Sequence, residues 1–108
     1  MDPDDAATHA EEGGFRLLAE QALTSLALVR LNAGSPGAAE SLAVRAIAGF
    51  RATGHRLGEA YAFVVLGQAR ASLTGPAAAR ECRHTAEEIR AAAGERPVLA
   101  AVRTRPAR

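Results

Sequence analysis

Lysine and tryptophan are absent from this chain, and cysteine occurs once in 108 residues. The lone thiol, Cys82, excludes an intramolecular disulfide and points to a reduced, cytoplasmic protein. All 13 basic residues are arginine, scattered along the chain and offset by 12 acids, which leaves a formal net charge of +1. That balance provides no electrostatic footprint for nucleic acid or a membrane surface. The arginine excess reads as the codon usage of a GC-rich genome rather than as a phosphate site. No apolar run approaches the ~18 residues of a membrane span. The opening Met1-Asp2-Pro3-Asp4-Asp5 is acidic where a signal peptide would be basic and then apolar. Aromatic residues make up only 4% of the chain, which argues against a sheet.

Alanine fills the gap, with 27 residues. It is the best helix former and costs no side-chain entropy, so this composition favours helices packed at close range. The triplet Gly-x-Arg recurs every forty residues, at Gly14-Phe15-Arg16, Gly54-His55-Arg56 and Gly94-Glu95-Arg96. A fixed period in this range is the mark of an α-helical repeat array, whose units bury their apolar faces against one another. The fold expected is all-α, with antiparallel helical hairpins stacked as a short α-solenoid of about four helices plus a C-terminal partial helix.

The boundaries follow from periodicity and turn residues. Residues 1–13 form an acidic leader, flexible at first and turning helical towards Ala10. A first helix is predicted from about Phe15 to Ala33, with Leu17, Leu18, Ala22, Leu26, Val29 and Ala33 on one stripe. Ser35 is placed to cap the second helix, and Pro36 suits its first position. That helix, to about Thr53, turns Ala39, Leu42, Ala43, Ala46, Ile47 and Phe50 inward, and Gly54 stops it. The third, about Leu57 to Leu73, buries Ala60, Phe63, Val64, Leu66, Gly67 and Ala69. The fourth, about Pro76 to Ala93, uses Ala79, Cys82, Ala86 and Ile89 and ends at Gly94, after which Pro97 opens a short partial helix and a basic tail. Repeat one spans 14–53, repeat two 54–93, and the partial cap and tail 94–108. Shifting by forty aligns Leu17 with Leu57, Leu26 with Leu66, Arg30 with Arg70, Pro36 with Pro76 and Ala46 with Ala86.

Phe63-x-x-Leu66-Gly67 followed by Ala79 and Ala86, and one unit earlier Leu23-x-x-Leu26-Ala27 followed by Ala39 and Ala46, resemble the tetratricopeptide repeat. The unit here is longer than the usual one of about 34 residues, and Arg30 and Arg70 stand where tyrosine is usual. The stretch from Ala48 to Gly67 resembles the longer variant found in the C-terminal sensor arrays of bacterial transcriptional regulators and related signalling ATPases. The resemblance covers about residues 14–97. It implies a non-catalytic protein–protein interaction module, a sensor or scaffold segment of such a regulator. It also implies a concave groove lined by Gln21, Thr24, Leu28, Leu31, Tyr61, Val64, Gln68 and Ser72. Thr24, Val64, Leu28 and Gln68 stand where a carboxylate clamp would need lysine and asparagine, so the expected partner is an apolar or amphipathic helix with Tyr61 as its anchor. The alternative is that Leu28, Leu31 and Val64 simply bury against neighbouring helices.

No cofactor or metal is expected. Cys82 and His84 fall on different faces of one helix, and His9 and His55 have no partner at ligand spacing. No nucleophile–base pair or phosphate loop stands out, and Glu87-Glu88 reads as a solvated pair beside Arg83. The reading is therefore not an enzyme. A nucleic-acid role for Arg96, Arg103, Arg105 and Arg108 lacks stacking residues or a recognition helix. Leucines at 17, 18, 23, 26, 28 and 31 load the first helix on more than one face. They call for cover from a partner chain or an upstream repeat. The second reading is thus a homodimerisation module that uses the exposed first helix and takes no peptide. The split of acids in 2–12 from arginines in 96–108 favours head-to-tail contact between copies, or is simply two solvated tails.

Overall fold

The structure, a computed structural model, describes the backbone of residues 3–104 and the side chains of residues 14–94. Four helices follow one another: α1 (Pro3–Asn32), α2 (Pro36–Thr53), α3 (Arg56–Thr74) and α4 (Pro76–Thr104). Among the described residues there is no strand. Each turn is too short to do anything but reverse the chain, so neighbours pack antiparallel. Glu40 near the start of α2 meets Arg70 near the end of α3, while Arg51 near the end of α2 meets Glu59 near the start of α3. Helix α2 packs against both α1 and α3, and α1 also touches α3 directly. Among the described residues, α4 packs only on α3.

The first two turns share one construction. Gly34 N–H donates to Leu31 O (3.1 Å) and Ser35 N–H to Arg30 O (2.8 Å). Gly54 N–H donates to Arg51 O (3.2 Å) and His55 N–H to Phe50 O (2.8 Å). This double closure satisfies the last carbonyls of a helix and needs a left-handed residue, met by Gly54 at φ 71°. Ser35 occupies the predicted cap position and Pro36 the first turn of α2, but the Ser35 side chain makes no capping hydrogen bond.

The Gly-x-Arg period does not mark equivalent places. Of its three glycines only Gly54 lies in a turn, whereas Gly14 is inside α1 and Gly94 inside α4. Helix α1 starts at Pro3 rather than near Phe15, since Ala6, Ala7 and Ala10 form helix readily and acids suit a helix N-terminus. Helix α4 runs on to Thr104, so no separate fifth segment forms. Strong helix formers on both sides of Gly94 and Pro97 carry the helix past the hydrogen bond that proline cannot donate.

The core is built mainly of alanine. Ala39, Ala43, Ala46, Ile47 and Phe50 of α2 are buried as predicted, as are Ala60, Leu66, Gly67 and Ala69 of α3 and Cys82 and Ala86 of α4. Val65, which periodicity did not single out, is the largest fully buried side chain, worth about 1.5–3 kcal/mol of transfer free energy. Small residues let the helices approach. A Cβ on Gly67 would stand 2.8 Å from Cys82 Cβ, and one on Gly58 would stand 2.5 Å from the Phe50 ring.

Helix α1 overturns the predicted stripe. Leu18, Leu26 and Val29 are 62%, 40% and 59% exposed. Ala22 and Ala33 are exposed as well, and of that stripe only Leu17 packs on the core. The buried side is instead Glu20, Thr24 and Ala27, flanked by Leu23, Leu28 and Leu31. Two apolar stripes compete on this helix. The one centred on the small Thr24 and Ala27 faces α2 and α3 because it permits close backbone approach.

Candidate protein-binding trough

Three elements converge beside the α2–α3 turn. Helix α1 contributes Gln21, Thr24 and Ser25, α2 contributes Phe50, the turn contributes His55, and α3 contributes Leu57, Gly58 and Tyr61. Together they line a cavity of about 360 Å³. The ring of Phe50, 2% exposed, forms its floor, and Gly58 lies against that ring because it has no side chain. The His55 ring sits 5.8 Å from the Phe50 ring, tilted by 56°, an aromatic contact that places the imidazole beside the cavity.

A second cavity of about 310 Å³ adjoins it, lined by Leu57, Ala60, Tyr61 and Val64 of α3 and by Arg90 of α4. Leu57 and Tyr61 line both, so the trough consists of two adjoining depressions, one towards α1 and one towards α4, with these side chains between them. These two side chains lie one helical turn apart and are 63% and 52% exposed, so apolar surface stands open to solvent. The trough lining carries Arg90 and His55 and no carboxylate.

The predicted groove residues divide into three groups. Gln21, Thr24 and Tyr61 meet in the first cavity, and Val64 joins Tyr61 in the second. Leu28 and Leu31 pack against the core. Gln68 and Ser72 are exposed further along α3, outside both cavities, with Ser72 Oγ donating to Gln68 O at 3.3 Å. Thr24 is 3% exposed, and its hydroxyl donates to Glu20 O at 2.9 Å, so it forms wall rather than a ready donor. Sequence reasoning missed Ser25, Phe50, His55, Leu57, Gly58, Ala60 and Arg90. The run Gly54-His55-Arg56-Leu57-Gly58 held a signal, since Gly58 has no side chain to keep a ring away.

On the opposite side of α3, Val44, Ile47, Ala48, Arg51, Phe63, Leu66 and Arg70 surround a cavity of about 250 Å³. Its arginines are already engaged. Arg51 donates to Glu59 at 3.0 Å and lies over the Phe63 ring at 5.9 Å, and Arg70 donates to Glu40 at 2.9 Å. The hydrogen bond to Glu40 raises the Arg70 pKa above the ordinary arginine value. This side is an interhelical seam.

The described residues bring together no group of three or more metal-ligating side chains. Cys82 is buried, His55 and His84 are exposed on different elements, and His84 approaches Glu88 at 3.8 Å. His9 and the arginines beyond Gly94 lie outside the described side chains. No described helix is long and apolar enough to cross a membrane. Compared with protein-family models, with curated proteins and with solved structures, the chain matches none.

Proposed function

We propose that the chain is a non-catalytic protein–protein interaction module, a short tetratricopeptide-like solenoid whose trough between α1 and α3 receives the apolar face of an amphipathic helix. The observation that carries this reading is the open pairing of Leu57 and Tyr61 over the Phe50 floor. Exposed apolar side chains one turn apart form a strip on which the i, i+3, i+4 apolar face of a partner helix can seat. A half-exposed tyrosine in such a place is the usual anchor of a binding patch. Arg90 and His55 at a lining that holds no carboxylate favour a partner helix with acidic flanks. The sensor arrays of bacterial transcriptional regulators, which the α2–α3 segment resembles, are the setting that best suits such a module.

The reading is tested by selecting binders from a displayed library of amphipathic helical peptides and measuring their affinity by fluorescence anisotropy. Tyr61→Ala and Leu57→Ala are each expected to weaken binding at least tenfold, the size of a moderate hot spot. Peptides that bind these variants as well as the parent would sink the trough as the site.

A further inference from the structure

The side of α1 turned away from α2 and α3 carries no charge over four turns. At 100° per residue, Phe15, Leu18, Ala19, Ala22, Ser25, Leu26, Val29 and Ala33 fall within one broad sector, diametrically opposite the core-facing Glu20, Thr24, Ala27 and Leu31. Phe15 is 67% exposed, and Leu18, Val29 and Leu26 follow at 62%, 59% and 40%. A helix with one free side ordinarily turns charged groups to water there. Arg16, Gln21 and Arg30 lie outside this sector instead.

The spacing on this face is symmetrical. Leu18 and Leu26 lie four residues to either side of Ala22, and Phe15 and Val29 lie seven to either side. A two-fold axis through Ala22 maps the pattern onto itself. In an antiparallel pair of α1 helices, Phe15 then faces the partner's Val29 and Leu18 faces the partner's Leu26. Ala22 meets its own copy, and the small Ala19 and Ser25 beside it leave room for helix axes about 8 Å apart. Self-complementarity about one point is what an isologous interface requires and what a helix from an unrelated protein would not need. Antiparallel pairing also opposes the two helix dipoles.

We infer that the outer face of α1 is the interface of an antiparallel homodimer with its two-fold axis at Ala22. From Phe15 to Val29 the overlapping stretch is about 21 Å long and about 10–12 Å wide. That footprint, roughly 500 Å² over both copies, lies below the ~1,200 Å² of stable specific interfaces, so association is weak, reversible and concentration-dependent. The interface does not rest on the peptide trough: the two share only Ser25, at the edge of this face, while the other α1 members of the trough, Gln21 and Thr24, lie outside it.

The test is light scattering on the full chain over a micromolar to millimolar series, joined to cysteine cross-linking in a Cys82→Ser background. The expected mass rises from 11.2 kDa towards twice that value. Leu26→Glu and Ala22→Arg, both at exposed positions, hold it at the monomer value while far-UV circular dichroism stays unchanged. Ala22→Cys oxidises to a covalent dimer with itself. Val29→Cys does so only when mixed with Phe15→Cys. A mass fixed at 11.2 kDa up to millimolar concentration overturns the proposal and leaves this face to a helix from elsewhere. Faster self-linking by Val29→Cys than by Ala22→Cys overturns it in favour of parallel pairing.

Discussion

Gly67 of α3 and Cys82 of α4 lie so close that a Cβ at position 67 would stand 2.8 Å from Cys82 Cβ, and 3.2 Å from the Cα of Ala79. Neither contact can be relieved by a side-chain rotation, because a Cβ is fixed by its own backbone and the second contact is to backbone itself. Gly67→Ala gains about 1 kcal/mol of helix propensity. It must also push α3 and α4 apart, at a cost of about 1–3 kcal/mol for overpacking. The expected net loss of about 0–2 kcal/mol lowers the midpoint of thermal unfolding by up to roughly 16 °C in a domain of this size. A raised midpoint would mean that the two helices do not pack at this distance.

Gly49 makes the opposite case. A Cβ there would also collide, but only with the side chain of Glu20. That carboxylate is 8% exposed, and its Oε2 has no hydrogen-bond partner, so moving it to solvent breaks nothing and hydrates a stranded oxygen. Gly49→Ala should therefore fall within about 1 kcal/mol of the parent, on either side, as helix propensity offsets the displacement. Adding Glu20→Ala should make the pair at least as stable as Gly49→Ala alone, since no side chain then has to be displaced from beside position 49. Urea midpoints for the three variants decide it. If Gly49→Ala is as damaging as Gly67→Ala, the glutamate is held in place by more than packing.

These two glycines show what could be read without coordinates. Helices α2 and α3 each carry one dominant apolar stripe, so period alone identified Ala39, Ala46, Phe50, Leu66 and Ala69 as core. Helix α1 carries two stripes, and period cannot choose between them. The choice is made by helix approach, which favours the side bearing Thr24 and Ala27 and leaves Leu18 and Val29 in water. The same blindness affects the trough. Gln21, Tyr61 and Val64 were legible from helix spacing, but Phe50 and His55 reach it only through the reversal at Gly54, and Arg90 only through the docking of α4. Glu59, 3% exposed, was not expected inside, because its partner Arg51 lies on the preceding helix, eight residues earlier in the chain. Gly94 and Pro97 look like stops in isolation, yet α4 continues through both.

Gly54 tests the turn that brings His55 to the trough. Its φ of 71° is left-handed, and no atom lies within 4 Å of where a Cβ would be, so a side chain there meets strain and nothing else. Gly54→Ala should cost about 1–2 kcal/mol, the left-handed penalty of an ordinary residue. Gly54→Asn should recover part of it, because asparagine tolerates this region better. Equal losses for the two would show that space rather than backbone angle is limiting.

The two arginine–glutamate pairs between α2 and α3 look alike in distance, 3.0 Å for Arg51–Glu59 and 2.9 Å for Arg70–Glu40, but differ in burial. The Arg70 and Glu40 side chains are 43% and 35% exposed, so water replaces a lost partner. Arg70→Ala should cost about 0.2–1 kcal/mol and less in high salt. The Glu59 side chain is 4% exposed, and its Oε1 already lacks a partner. Removing Arg51 leaves a whole buried carboxylate unmet, with an expected cost of about 1–3 kcal/mol. Arg51→Ala combined with Glu59→Leu should restore most of that loss, because an apolar side chain needs no partner. The raised pKa of Arg70, caused first by its hydrogen bond to Glu40, means that its contribution is fully present below the unfolded arginine pKa. It is lost only as pH climbs through the still higher folded value, so neutral-range titration should leave the Arg70 charge untouched. A double-mutant cycle on each pair, read from urea unfolding, should give the larger single-variant loss at Arg51. Equal losses at the two arginines would mean that water reaches Glu59 as freely as it reaches Glu40.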